Sequence, residues 1–368
     1  MKIILDSTAY RADFLLKGNA FQILLPALER IGASIILPEV VLEEVVNGYR
    51  EELSKYQTSI QKLNRDARRL GLNEPGLEFS DEMVSTELAR YKKQLVTTLK
   101  AEIPEIPNTP HPDFVKRALA RRKPFNENGA GYRDALIWET VLRVLERSST
   151  TDCFVTANTR DFCRGDALHS DLLQDVEQRG IPANRLMFFP SVDKLNAALV
   201  LPKLEHLKDV LNQVAADKWG TFRLKNWVLS DLGELMLKSN VAMHLSKLAS
   251  EGSIVHGPTV KSVKGSFVDD VRGIPGGKIL VSARAELIVE MAFGLMGEDH
   301  FGGFWEEIRT LPSFYGFGFT EQTVDVEAEF SLVIEPSSYE VVSAQIDEIE
   351  GETDSGRLIL NSHPTRCG

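Results

Sequence analysis

The chain has 368 residues, 43% of them hydrophobic and 26% charged, which is the composition of a globular protein long enough for two domains. No apolar run approaches the length that spans a bilayer, and the chain begins directly with a strand-like run, so we expect neither a membrane segment nor a signal peptide. The formal net charge of -11 argues against a nucleic-acid partner as long as the chain is taken as a whole.

Cysteines and histidines are few and scattered. The three cysteines, Cys153, Cys163 and Cys367, are an odd number and form no close Cys-x-x-Cys pair. We therefore expect a reducing, cytoplasmic environment without a disulfide framework or a zinc knuckle. The seven histidines stand singly, which gives little support to a His-ligated transition metal.

The first half of the chain alternates short apolar runs with helical patterns, which predicts a parallel sheet covered by helices. The predicted strands are Lys2–Leu5, Ser34–Leu37, Cys153–Ala157 and Leu186–Phe189. Between the first two, an amphipathic helix is predicted to end at Gly32, and Pro38 then opens a long helix. We expect residues 1–195 to form one α/β domain.

A charged stretch from Tyr49 to about Pro104 has helical spacing and a break at Gly71–Gly76. It is predicted to be a helical hairpin inserted at about residues 50–105. The prolines that follow, as far as Pro112, indicate an irregular connection. Beyond it, Asp134 opens a helix with a buried apolar stripe.

The pattern changes beyond Pro190. Amphipathic helices are predicted for Leu201–Gly220 and Trp227–Leu248, whereas Ile279–Glu290 and Thr323–Ile334 alternate apolar and polar side chains as half-buried strands do. We expect residues 200–368 to form an acidic α+β accessory domain with an antiparallel sheet.

Acidic or amide side chains stand just beyond the strand-like runs or in the first turns of helices. They are Asp6, Glu43, Glu44, Asp134, Asn158 and Asp161. Because ligands of an open parallel sheet bind beyond the carboxyl ends of its strands, these groups are expected to converge. Clustered carboxylates repel one another, and a divalent cation relieves that repulsion, so the sequence predicts a Mg²⁺ or Mn²⁺ site of the kind that serves phosphate chemistry.

Each acid taken singly also has a structural interpretation. Asp6 and Asp161 suit helix caps, Asp134 is favourable at a helix N-terminus, and Glu43 and Glu44 suit an exposed surface. Helical geometry does not choose between Glu43 and Glu44, because they lie at similar angles on either side of the apolar stripe of their helix.

Positive charge is concentrated just before Asp134. From Val200 onward the chain has 15 Lys and Arg against 25 Asp and Glu, and before it 27 against 28, so the excess acid belongs to the C-terminal part. The basic residues before Asp134 are Lys116, Arg117, Arg121, Arg122, Lys123 and Arg133. Beside a metal cluster such a patch would follow a phosphate backbone; otherwise it is a solvated helix face.

Together these segments resemble the PIN-like domain family. The resemblance lies in Asp6 after its strand, Leu37–Val45, Arg121–Phe125 leading into Gly131–Trp138, and Phe154–Phe162. It covers roughly residues 1–190 and implies a parallel sheet with a central acidic pocket. Active members of the family are metal-dependent nucleases, most often on single-stranded RNA. The insertion between Glu44 and Asp134 is longer than in compact toxin-type members.

The resemblance implies a role for several residues. The acidic pocket would consist of Asp6, Glu44, Asp134 and Asp161 as catalytic residues and metal ligands, which favours Glu44 over Glu43, with Asn158 beside them. Mg²⁺ or Mn²⁺ would activate a water in line with the scissile phosphodiester. Substrate contacts would come from Asn158, Arg133, Arg160, Arg121, Arg122 and Lys123, and Ser7 or Thr8 either contacts a phosphate or has a structural role.

Other classes share some of these features. Thr8 stands where a haloacid-dehalogenase-type phosphatase has its second acid, and no Gly-x-x-x-x-Gly-Lys-Ser/Thr loop is present for a nucleotide switch. The open alternatives are a non-catalytic PIN-like scaffold that binds RNA or protein, and a structure-specific DNA nuclease.

Two aromatic segments, Phe301–Trp305 and Phe314–Phe319, lie in the C-terminal part. Core packing is the favoured interpretation. If they are exposed, a protein partner or self-association fits better than RNA, because the surrounding residues are acidic. The acidic domain is also expected to shield the basic patch and restrain the nuclease.

Overall fold

The computed structural model describes residues 1–11, 13–69, 78–165, 167–238, 253–294, 319–353 and 356–361. It divides into two compact units, Met1–Lys203 and Leu204–Gly368, each treated by itself here. Within the described ranges, no helix is long and apolar enough to cross a membrane.

The N-terminal unit is built on a four-stranded parallel sheet with the strand order β2-β1-β3-β6. The described ranges of the unit contain six strands: β1 (Lys2–Leu5), β2 (Ser34–Ile36), β3 (Asp152–Val155), β4 (Cys163–Arg164), β5 (Ala167–Leu168) and β6 (Leu186–Phe189). Strands β4 and β5 pair only with each other, as a small separate hairpin. In register, Leu5 lies opposite Val155, so the residues that follow β1 and β3 leave the sheet side by side. All four predicted strands of the parallel sheet are confirmed.

Nine α-helices of this unit lie in the described ranges. They are α1 (Thr8–Arg11), α2 (Asn19–Ile31), α3 (Glu39–Arg69), α4 (Asp81–Leu99), α5 (His111–Leu119), α6 (Tyr132–Arg147), α7 (Thr159–Phe162), α8 (Ser170–Gln178) and α9 (Val192–Leu195). As predicted, α2 stops at Gly32, which takes the left-handed conformation with φ 65°. A π-helical turn (Asn196–Val200) and a 3₁₀ turn (Leu201–Lys203) close the unit.

The predicted hairpin is formed by α3 and α4, but its first helix is not a separate insertion. Helix α3 runs without interruption from Glu39 to Arg69, so one helix carries both Glu44 and the first arm of the hairpin. Helix α4 is capped by the Ser80 hydroxyl, which accepts a hydrogen bond from Met83 N at 3.2 Å. The predicted break at Gly71–Gly76 lies outside the described residues.

Helix α6 lies against the sheet through its predicted apolar stripe, and Ile137, Trp138 and Val141 are buried. The Trp138 ring packs on Phe154 of β3, with ring centroids 6.1 Å apart. Burial of such side chains is the main stabilising contribution to the unit. It also holds the first turn of α6 beside the carboxyl ends of β1 and β3.

The C-terminal unit contains a six-stranded antiparallel sheet with the order β12-β11-β10-β9-β8-β7. Its strands are β7 (Glu205–His206), β8 (Ser253–Gly273), β9 (Ile279–Gly294), β10 (Phe319–Glu335), β11 (Glu340–Thr353) and β12 (Gly356–Asn361). Its helices are α10 (Lys208–Ala215), α11 (Leu224–Ser230) and α12 (Leu232–Lys238).

The alternation seen in the sequence decides which face of this sheet is buried. The apolar positions of β9 and β10 form one core with residues of the helices, among them Val281, Leu287, Val326 and Phe330. The polar residues that alternate with them along β9 and β10 are not part of that core. The predicted antiparallel sheet is therefore confirmed.

Two helix predictions in this region are wrong. Instead of one helix over Leu201–Gly220, the chain makes a 3₁₀ turn, pairs Glu205 and His206 with β8, and forms only the short α10. Strand pairing overrides the local helical pattern there. The helix predicted for Trp227–Leu248 is divided into α11 and α12, and residues 239–250 lie outside the described ranges, as do Phe301–Trp305 and residues 314–318.

Candidate active site

Asp6 follows β1 directly and is held by hydrogen bonds from three sides. Its side chain is 2% exposed. The backbone N–H of Ser7 donates to Oδ1 at 2.7 Å, and the hydroxyls of Thr8 and Thr156 donate to Oδ2 at 2.9 and 2.6 Å. These bonds fix the direction of the carboxylate.

Thr156 is the residue that the sequence reasoning missed. Besides donating to Asp6, its hydroxyl accepts a hydrogen bond from Asn158 N at 2.9 Å, while the Thr8 hydroxyl accepts one from Ala157 N at 2.9 Å. The hydroxyls of Thr8 and Thr156 thus connect the ends of β1 and β3. The usable signal was a hydroxyl residue at the carboxyl end of a strand predicted to neighbour that of Asp6.

The structure distinguishes Glu44 from Glu43. The Glu43 side chain is 56% exposed and its Oε1 lies 2.6 Å from Lys92 Nζ of α4. The Glu44 side chain is 11% exposed, and its Oε1 lies 2.8 Å from Arg133 Nη1. Burial raises the pKa of Glu44, and the nearby Asp6 carboxylate adds to the rise, whereas Arg133, Ser7 and Arg11 act against it.

Asp134 lies in the first turn of α6, as predicted. The residue before the helix is Gly131, with φ 129°, where a Cβ would lie 2.6 Å from the Pro124 carbonyl oxygen. Only glycine allows the chain to enter α6 this close to the Pro124–Phe125 segment. The Asn158 side chain then donates to Asp134 Oδ1 at 3.1 Å, which couples α6 to the loop after β3.

The four acids affect one another electrostatically. Burial, followed by the charges of Asp6, Asp161 and Glu44, raises the pKa of Asp134 to about 6, although the Asn158 hydrogen bond acts in the opposite direction. Such coupling requires the carboxylates to lie near one another. Asp161, in α7, has a buried Oδ1 for which the described residues provide no hydrogen-bond partner. The structure therefore brings together Asp6, Glu44, Asp134 and Asp161, with Asn158 among them.

The basic residues are divided between structural and exposed positions. Arg117 and Arg122 pair with the buried Asp175 of α8, at 2.6 and 3.1 Å. The ammonium group of Lys123 donates to the Arg160 carbonyl oxygen at 2.7 Å. Arg122 and Lys123 are thus engaged in holding the segment after α5.

Three other arginines are exposed, Arg121, Arg133 and Arg160, and of these Arg133 pairs with Glu44. Arg11, which the sequence reasoning did not single out, is also exposed, and its charge acts on Glu44. The cations that remain exposed are therefore only some of the basic residues that precede Asp134 in the sequence, together with Arg11.

Comparison with known families agrees with this geometry. Residues 3–162 match the family model described as a PIN domain. The N-terminal unit contains a PIN domain. None of the curated proteins compared with the chain matches it. PIN domains are nuclease-type folds that generally use divalent metal ions, and the four acids all lie within the matched segment.

The donor set of this PIN domain fits a hard divalent cation. It consists of carboxylate and amide oxygens and includes Asp161 Oδ1, for which the described part of the chain provides no hydrogen-bond partner. Burial and the neighbouring carboxylates together raise the pKa of Asp134. Yet in the described ranges no three His, Cys, Asp or Glu side chains form an arrangement that could hold a metal ion. Glu44 pairs with Arg133, and one oxygen of Asp134 accepts a hydrogen bond from Asn158.

Proposed function

We propose that the PIN domain is a metal-dependent endonuclease that hydrolyses phosphodiester bonds, with single-stranded RNA as its preferred polymer. The observation that carries the proposal is that burial, together with the charges of Asp6, Asp161 and Glu44, raises the pKa of Asp134 to about 6. A protein maintains such repulsion at a cost in stability, and perturbed pKa values of this kind mark functional sites.

Each acid has a distinct part in the proposed reaction. Asp6, fixed by Ser7, Thr8 and Thr156, is the preorganised ligand, and Asp161 offers an oxygen without a hydrogen-bond partner among the residues that the structure describes. Bound Mg²⁺ or Mn²⁺ would supply neutralisation of the phosphate charge and acidification of the attacking water. Asn158 orients Asp134 by its hydrogen bond.

Arg133 has a part in binding the substrate in this proposal. Its guanidinium pairs with Glu44, and 68% of the Arg133 side chain is exposed. A planar double donor at this position would contact a non-bridging phosphate oxygen of a bound strand. The preference for RNA rests on the family resemblance, and the test below makes DNA one of its outcomes.

The deciding experiment is cleavage of end-labelled single-stranded RNA and DNA by the full chain with Mg²⁺, with Mn²⁺ and with chelator. Wild type is expected to cut only with metal, and Asp134→Asn and Glu44→Gln are expected to lose at least a hundredfold in rate. Matched controls are Asp113→Asn, an exposed acid in the first turn of α5, and Glu43→Gln, the neighbour of Glu44. Both controls should retain the wild-type rate.

A non-catalytic nucleic-acid-binding scaffold is the second candidate. It is favoured by the hydrogen bonds that already occupy both oxygens of Asp6 and by the ion pair of Glu44. Metal-independent binding of RNA, with no cleavage under any metal condition, would select it. Cleavage by Asp134→Asn at the wild-type rate would show that the four acids are not the active site.

A further inference from the structure

Tyr132 is a large aromatic residue left in solvent beside the acidic pocket. It is the first residue of α6, two positions before Asp134, and it is 46% exposed. Its ring neighbours the ring of His111, the exposed first residue of α5, with centroids 6.3 Å apart. Two exposed rings thus stand together at the beginnings of two helices.

The Tyr132 ring is supported by the core. Phe114, which is 6% exposed, meets it edge-on with centroids 5.2 Å apart. Phe114 in turn packs near Phe125, at 6.5 Å between centroids, and Phe125 is 2% exposed. The Tyr132 ring is thus a preorganised aromatic surface that the core holds in place.

The position of Tyr132 relative to the site suits a polymer substrate. Successive residues of a helix are separated by about 100° and 1.5 Å, so Tyr132 and Asp134 point to nearly opposite sides of the first turn of α6. Arg133, with 68% of its side chain exposed, lies between the other two. A nucleic-acid strand that crosses the N-terminal end of α6 with a phosphate at Arg133 would extend toward Asp134 on one side and toward Tyr132 on the other.

We propose that Tyr132, together with His111, is a stacking platform for an unpaired nucleobase of the substrate. This inference rests on the proposed nuclease function and specifies its substrate as unpaired nucleotides. Aromatic side chains stack on any base, whereas a base inside a duplex is already stacked on its neighbours. The platform therefore selects single strands without selecting a sequence.

A protein partner is the competing occupant of this surface. Val115 is 41% and Leu119 79% exposed, and they follow His111 at intervals of four residues on one side of α5. The charges favour nucleic acid, because Arg121 and Arg133 are exposed in the same region of the chain. A protein contact would depend on apolar bulk at Tyr132, whereas base stacking depends on an aromatic ring.

The test is equilibrium binding of a short RNA by the full chain in chelator, where metal-dependent cleavage does not occur. A 2-aminopurine scan along a single strand reports stacking through fluorescence quenching, and anisotropy reports affinity. Tyr132→Ala is expected to weaken single-strand binding about tenfold and to remove the quenching, with no change for a duplex of equal length. Tyr132→Phe should behave as wild type, and Tyr132→Leu as Tyr132→Ala.

The matched control is Tyr56→Ala. Tyr56 is also an exposed tyrosine, 56% accessible. Its ring packs edge-on against Phe79, with ring centroids 5.4 Å apart. It lies twelve residues beyond Glu44 on α3, about 18 Å along the helix. Its replacement should leave affinity and quenching unchanged.

Three results would overturn the platform: equal affinities for Tyr132→Ala and Tyr56→Ala, an equal loss for single strand and duplex, or full binding by Tyr132→Leu. These outcomes are independent of the cleavage assay. If the chain cuts with metal but Tyr132→Ala does not change binding, the nuclease function is supported and the stacking platform is refuted. A chain that never cuts but shows the Tyr132 effect keeps the platform and loses the nuclease function.

Discussion

Arg133 Nη1 lies 2.8 Å from Glu44 Oε1, although 68% of the Arg133 side chain is exposed and only 11% of the Glu44 side chain. The exposed guanidinium of Arg133 thus lies against the nearly buried carboxylate of Glu44 at the edge of the acidic pocket. The ion pair joins α6 to α3 and opposes the effect of burial on Glu44.

Removing this cation should raise the pKa of Glu44. In Arg133→Gln, burial and Asp6 act on the carboxyl group with less opposition, so its pKa rises further, by an amount limited by the solvent around Arg133. Carboxyl-detected NMR titration of the metal-free protein measures it. Arg143→Gln, whose partner is Glu139 at 3.3 Å, is the control and should leave Glu44 unchanged. An unchanged Glu44 in Arg133→Gln would refute the electrostatic role of the pair.

Asp134→Asn should stabilise the metal-free protein at neutral pH. The folded-state pKa of Asp134, about 6, lies above the ordinary aspartate value of 3.8, so the folded state holds the proton more tightly. This contribution to stability is fully present below pH 3.8 and is lost as the pH rises through about 6. Asparagine does not ionise, so the mutant does not lose this stability as the pH rises. Its melting temperature at pH 7 should therefore exceed that of wild type by about 2–4 °C.

Thermal unfolding in chelator at pH 4.5 and pH 7 measures that difference, which should be larger at the higher pH. Adding Mn²⁺ at pH 7 should stabilise wild type more than Asp134→Asn. Asp113→Asn, whose side chain is 58% exposed and faces Lys116, should show no such pH dependence. If Asp134→Asn is less stable than wild type at both pH values, repulsion among the four acids is not the dominant effect.

Thr156→Val should destabilise the N-terminal unit and loosen Asp6. The buried hydroxyl donates to Asp6 Oδ2 at 2.6 Å and accepts from Asn158 N at 2.9 Å. Its loss should cost about 1–3 kcal/mol, with Thr8 still donating to the same oxygen. Urea unfolding measures the change. Thr156→Ser keeps the hydroxyl and should restore most of the stability; equal losses in both variants would assign the effect to packing.

Gly220→Ala should destabilise the C-terminal unit. Gly220 has φ 50°, and a Cβ there would overlap the Tyr339 ring, which packs edge-on against Trp219 with centroids 5.0 Å apart. The expected cost is about 2–4 kcal/mol from backbone strain and overlap together. Gly276→Ala, with φ 94° and open space around it, measures the strain alone. Adding Tyr339→Ala should make the double mutant less destabilised than the sum of its parts.

Local pattern was sufficient wherever one periodicity dominated. The alternation of β9 and β10 reports half-buried strands because successive side chains of a strand point to opposite faces. The acids after β1 and β3 are readable because parallel strands bring their carboxyl ends to one edge. Leu201–Gly220 shows the limit of this reasoning, since the pairing of β7 with β8 depends on residues more than sixty positions away.

Only tertiary packing separates residues that are equivalent in the sequence. Glu43 and Glu44 flank one apolar stripe, but α4 places Lys92 beside the first, whereas α6 places Arg133 beside the second. Arg121 and Arg122 are adjacent, yet Arg122 pairs with the buried Asp175 while Arg121 stays exposed. Composition and periodicity thus determined the two kinds of sheet and the acids at the strand ends. The neighbours of each charge were decided by contacts between helices that are distant in the chain, because a charge pairs with what lies beside it in space.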